Sequence, residues 1–206
     1  GDITLTSTGG GVTGNGALSA YGVGTGTGGD VTIDTNGNVF TMTGGADINA
    51  YGSNTGTGGN IDIDASSLAL SDGSHMQAQG HNAGTIDITT TGDINLAGTN
   101  YMYAHSTSGT GLGGTVNLTS TGGDFSHTNP NSRIYTYGQS DATHNRVSIT
   151  AQNVTTGSMN VNGVNGGDGG QITLQATNGD LTTLAGLSTT GNAGGSGGNI
   201  TLLSLI

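Results

Sequence analysis

A five-residue phrase returns along this chain at a coil-sized interval: a Gly or Asn, a small or polar residue, then apolar, polar and apolar positions. It reads GDITL at Gly1, GDVTI at Gly29, GNIDI at Gly59, GTIDI at Gly84, GTVNL at Gly114, NRVSI at Asn145, GQITL at Gly170 and GNITL at Gly198. The first apolar positions, Ile3, Val31, Ile61, Ile86, Val116, Val147, Ile172 and Ile200, follow one another at steps of 28, 30, 25, 30, 31, 25 and 28 residues. A unit of this length cannot bury its own apolar face, so units must stack and share a continuous core. The spacing predicts a solenoid.

Aligning the units on this phrase exposes a second strand column. It pairs a large apolar residue with a small one two positions on: Leu18 and Ala20, Ile48 and Ala50, Met76 and Ala78, Met102 and Ala104, Ile134 and Thr136, Met159 and Val161, Leu187 and Thr189. Period two puts both members on one face of a strand and turns Ser19, Asn49, Gln77, Tyr103, Tyr135, Asn160 and Ser188 outward. A weaker middle column holds Leu68 and Leu70, Ile94 and Leu96, Phe125, Val154 and Leu181. Its register in the unit of Val39, Phe40 and Met42 stays open. Three short strands per turn of about 28 residues describe an all-β fold, a right-handed parallel β-helix of about seven coils and about 34 Å in height. Gly-rich stretches such as Gly22 to Asp30 and Gly191 to Gly198 recur at one corner, where positive φ is expected to make a tight bend.

Composition fits this architecture. The chain has 43 Gly, one Pro and no Cys or Trp; its 13 acidic residues are all Asp and its two cations are Arg133 and Arg146. Thr, Asn, Ser and Asp stand where helix formers would, favouring strands and turns. A net charge of −11 argues against nucleic acid and anionic membranes, since both demand a basic face. No apolar run approaches the roughly 18 residues of a membrane span. The chain opens at Gly1 without Met or a signal peptide and reads as a mature or excised segment. It forms a single solenoid over residues 1–206, with 125–133 (FSHTNPNSR) expected as a surface loop. The last stretch, Ile200 to Ile206, opens an eighth coil. Either it was cut from a longer solenoid, or its apolar residues Ile200, Leu202, Leu203, Leu205 and Ile206 form a strand that docks end to end on another copy.

The repeated GTGGD/N phrase followed by alternating apolar residues, with its partners ALSAYG, DINAYG, HMQAQG and RIYTYG, resembles the filamentous-haemagglutinin-like exoproteins of two-partner secretion systems and the passenger domains of large bacterial adhesins. The resemblance spans essentially the whole chain and lies in repeat style. It implies a secreted right-handed β-helix that projects from the bacterial surface as an adhesin shaft or forms an extracellular filament, serving adhesion or biofilm formation. The implied partners are other copies of the chain and a host or matrix glycan or protein. The amino-terminal secretion domain of that family is not evident in this sequence.

Alternative functions leave weaker marks. A pectate-lyase-like or carbohydrate-binding β-helix needs carboxylates gathered with Lys or Arg, whereas these Asp residues are dispersed and Lys is missing. Asp62, Asp64 and Asp87 lie near one another and could share a small cation, although strand-surface charges more often keep such surfaces soluble. The turn NGGDGGQI around Asp168 lacks the nonapeptide period of calcium-binding repeats. The five His show no metal-ligand spacing and read as solvent-exposed turn residues; the four Met read as core. An ice-binding Thr array is interrupted by Asp62 and Asp87 in the column Thr4, Thr32, Asp62, Asp87, Asn117, Ser148, Thr173 and Thr201. No catalytic residue, cofactor or metal is expected. The one concentration suited to a ligand or partner is aromatic: Tyr103 under Tyr135 and His105 under Tyr137, bordered by Tyr101 and Arg133. The competing reading is a structural ladder, and Tyr21 stacking on Tyr51 favours it.

Overall fold

Alternation of apolar and polar residues recurs three times per coil, and each recurrence becomes a strand. The computed structural model describes residues 1–205 apart from Ala142, and its elements are all β-strands. They form three parallel sheets wound as a solenoid of about seven turns. The first sheet has eight strands, from Ile3–Thr6 to Asn199–Ser204. The second has seven, from Val12–Gly14 to Leu181–Thr183. The third also has seven, from Leu18–Ser19 to Leu187–Ser188. Every strand neighbours its counterpart one coil away.

The expected registers hold. Ile61, Ile86, Val116, Val147 and Ile172 face one another rung by rung and are buried. So do Ile48, Met76, Met102, Ile134 and Met159 in the third sheet. The open register of the second coil resolves with Phe40 opposite Leu68 and Met42 opposite Leu70, both inward, and leaves Val39 44% exposed on the outer face. All four Met are in the core.

The corner between third and first sheets needs glycine for a reason other than the expected positive φ. Among the glycines of this corner, positive φ is confined to the tip of the bend, as at Gly24 and Gly166, where Asn54 shares it. The glycines that open the recurring phrase have no such φ. A Cβ at Gly59, Gly84 or Gly114 would lie 2.2, 2.0 or 2.1 Å from the carbonyl oxygen of the corresponding glycine one coil below. These positions form a ladder in which successive backbones touch. Asn145 interrupts it: the residue is buried with φ of 57°, a conformation Asn tolerates better than most residues. Its Oδ1 accepts a bond from Thr136 Oγ1 at 3.1 Å, and its Nδ2 donates to the carbonyl of Asn162 at 3.2 Å. Thr136 in turn stands where four preceding coils have Ala. The two departures from the repeat satisfy each other.

The segment 125–133 corrects the expectation of a surface loop. Phe125–His127 pairs with Ile94–Leu96 below and Phe125 with Val154 above, and Arg133 begins the strand Arg133–Tyr135. Phe125, Ser126 and His127 alternate buried, half-buried and buried, which holds them in the wall. Only residues 128–132 connect, and Ser132 is buried with its hydroxyl donating to Gly98 O at 2.7 Å.

His127 therefore also departs from the expectation that the five His sit in exposed turns. It occupies the inward column of Leu70 and Leu96 with no exposed surface and no hydrogen-bond partner on either ring nitrogen. Burial lowers its pKa to about 4 from the ordinary 6.5. The ring stays neutral in the fold, while an unfolded chain protonates it below 6.5. Stability is thus fully present above pH 6.5 and is lost progressively as pH falls towards 4, by about 3 kcal/mol through this ring. His127→Leu extends the apolar column and should flatten that loss. Urea midpoints of both proteins at pH 7 and pH 4.5 check this, and an unchanged acid slope in the variant would clear His127 of the effect.

Candidate functional site

Tyrosine distribution marks one surface. All six Tyr of the chain sit on outward positions of the third sheet and its continuation, because the inward alternates are the large and small apolar residues of the core. The expected group is brought together: Tyr103 and Tyr135 lie in register with ring centroids 5.6 Å apart, and His105 stacks on Tyr137 at 4.2 Å. Tyr101 lies parallel to Tyr103 at 5.5 Å, and the Arg133 guanidinium carbon stands 5.7 Å from the Tyr135 centroid. His75, expected in an exposed turn, joins them. It is on a strand opposite Tyr101, stacks on that ring at 5.0 Å, and its Nδ1 is 3.0 Å from Asp47 Oδ1. Tyr21 and Tyr51 form a separate stack at 5.1 Å and 17°, beside an open depression lined by Ser19, Asn49 and Gln77.

This geometry turns most ring faces onto one another, so ring edges and hydroxyls meet solvent. Burial raises the pKa of Tyr103, with neighbouring Tyr101 and Tyr135 adding to it and Arg133 opposing; burial and then Tyr135 raise that of Tyr137. Both phenols are neutral hydrogen-bond donors at ordinary pH. Burial lowers the pKa of His105 to about 4, leaving it neutral as well. Together they present an uncharged row of hydroxyl and ring edges on an acidic body. Each stacked pair contributes on the order of 0.5–1.5 kcal/mol beyond its area burial.

The acidic residues have a role the sequence reading missed. Asp30 donates its N–H to Asp2 Oδ1 at 3.0 Å, Asn60 to Asp30 Oδ1 at 2.7 Å, and Thr85 to Asn60 Oδ1 at 2.9 Å. A second series climbs another corner: Asp124 N–H to Asp93 Oδ1 at 2.9 Å, Asn153 N–H to Asp124 Oδ1 at 3.1 Å and Asp180 N–H to Asn153 Oδ1 at 2.9 Å. Each side chain caps a backbone N–H of the next coil. The readable signal is an Asp or Asn directly before the first apolar residue of a strand. Asp124 also accepts from Asn153 Nδ2 at 2.8 Å. Asp124→Ala should cost about 1–2 kcal/mol, and Asp124→Asn much less, in thermal or urea unfolding.

On the outer face of the first sheet, Asp62 lies opposite Asp87, and burial followed by the charges of Asp87 and Asp64 raises its pKa. Among the described residues no three His, Cys, Asp or Glu side chains gather in a group able to hold a metal ion. A depression beside Arg146 is lined by Thr85, Thr115, Asn117, Thr143, Val147, Ser148 and Thr173, without a carboxylate. The strand Asn199–Ser204 pairs with Gln171–Ala176 and extends the Ile172 and Leu174 columns through Ile200 and Leu202; Leu203 instead follows outward Gln175. Ile200, Leu202, Leu203 and Leu205 are all exposed, and Ile206 lies outside the described residues.

No protein-family model, no curated protein and no solved structure matches this chain.

Proposed function

We propose that this chain is a structural rod outside a bacterial cell, the shaft of a surface adhesin or the protomer of an extracellular filament, serving attachment or matrix formation. The observation that supports this reading is continuity: in three sheets at once, parallel pairing runs from coil to coil without a break. Load along the axis is then shared by three hydrogen-bond ladders, reinforced by the Asp and Asn caps between coils. Repetition adds reach, and side chains repeated at one-coil intervals give many weak contacts at once. The tyrosine face is the surface for those contacts, with a glycan or a protein as its partner, and the charge of −11 disfavours nucleic acid.

Electron microscopy of the isolated chain at neutral pH, joined to immunogold labelling of the cells that make it, tests the reading. Straight bodies with a rung spacing of about 4.8 Å and gold on the outside of intact cells are expected. Filaments would select the fibre and discrete rods the shaft. Gold confined to the cytoplasm of sectioned cells would overturn the proposal.

A further inference from the structure

We propose that Tyr21 and Tyr51 are an oxidative cross-linking site, where two successive coils become joined by a dityrosine bond when the rod meets hydrogen peroxide and a haem peroxidase. The inference rests on the extracellular reading only for where the oxidant is met.

The two rings come from adjacent coils, lie 5.1 Å apart and are inclined by 17°. Their backbones are pinned on both sides: Ser19 pairs with Asn49 before them, and Gly22 bridges Gly52 after them, with the Gly22 N–H donating to Tyr51 O at 2.8 Å. The two backbones therefore stay in neighbouring rungs as long as the third sheet is intact, which keeps each ring within reach of the other. Tyr21 is 53% exposed, open to an oxidant. The other close pairs are less suited. Tyr101 and Tyr103 are parallel but belong to one strand, so a bond between them would join no coils; Tyr103 and Tyr135 are inclined by 37°. The chain has no Cys and no Lys, so disulfides and lysine amides are closed to it as covalent staples. Its phenols are not.

The chemistry balances. The peroxidase takes one electron and one proton from each phenol, and hydrogen peroxide, receiving two of each, becomes two waters. The two phenoxyl radicals couple through the ring carbons ortho to oxygen. Each coupling carbon then passes its hydrogen to its own oxygen, restoring two phenols joined by a carbon–carbon bond, two hydrogens lighter. The bond joins two residues 30 positions apart, Tyr21 and Tyr51, and removes loop freedom from the unfolded chain as a disulfide does.

The test treats the purified chain at high dilution with horseradish peroxidase and hydrogen peroxide, then cleaves before Asp. The expected product is peptide 2–29, which carries Tyr21, joined to peptide 47–61, which carries Tyr51, with dityrosine fluorescence and a raised thermal midpoint. Tyr51→Phe keeps the ring stack and should lose this product while its β-sheet circular dichroism stays unchanged. Covalent dimers alone, coupling confined to the Tyr101 to Tyr137 cluster, or no coupling would each overturn the proposal. Coupling in the purified chain with no gold on the cell exterior would sink the extracellular reading and leave the cross-link standing.

Discussion

Ile86→Asp is expected to abolish the solenoid's cooperative fold, at a cost of roughly 5 kcal/mol or more. Ile86 has no exposed surface and stands in register between Ile61 and Val116 in the first sheet. A carboxylate there has no hydrogen-bond donor within the apolar column and no water. Because each coil rests only on its neighbours, the damage spreads to both sides of the break. The next residue gives the internal control. Asp87 points outward against Asp62, so Asp87→Thr removes a like-charge contact and should raise stability by a few tenths of a kcal/mol. Circular dichroism and urea midpoints of the two variants decide the matter: a full β signal with an unchanged midpoint in Ile86→Asp would mean that the column faces the other way.

One added methyl should do comparable harm at Gly84. Its Cβ would lie 2.0 Å from the carbonyl oxygen of Gly59 and 2.7 Å from that carbonyl's carbon. Both atoms are backbone of the coil below, so relief requires the coils to separate, and three sheets resist that. Gly84→Ala is expected to cost at least about 3 kcal/mol. Gly186 makes the comparison sharp, since a Cβ there meets nothing within 4 Å and its φ is not positive. Gly186→Ala should be neutral or stabilise by about 0.4–1 kcal/mol through the unfolded state. Equal thermal midpoints for the two alanine variants would show that close stacking does not select glycine at the corner.

The first-sheet and third-sheet registers were legible because period-two alternation around Ile61, Ile86 and Val116, or Met76, Met102 and Ile134, survives in nearly every unit. The middle column was harder. Val39, Phe40 and Met42 offer two apolar phases, and only pairing with Leu68 and Leu70 chooses between them. The segment 125–133 misled because Pro130 and the Asn and Ser around it carry loop composition, whereas Phe125–His127 is held by alternation too short to stand out. His127 could not be placed because a ring without partners is an unfavourable core residue, and sequence reasoning sends it to the surface. The tyrosine cluster was readable from register alone, except for His75, whose stacking on Tyr101 follows from the same column one coil down. The inter-coil caps leave a mark, an Asp or Asn before the strand, but an Asp there suits a solvated turn equally well, so the residue alone does not choose between the two.

Those caps carry an evolutionary consequence. Asp30, Asn60, Asp93 and Asp124 each accept a main-chain N–H from the coil that follows, and a main-chain N–H is offered by every residue except proline. A cap of this kind does not read the identity of its neighbour, so a coil can be duplicated, deleted or shuffled and still be held at both seams. Thr136 and Asn145 obey the opposite rule, since each needs the other's side chain. A recombination point drawn between them would strand a buried hydroxyl, which makes this corner a place where gene rearrangement is penalised while most other seams are free.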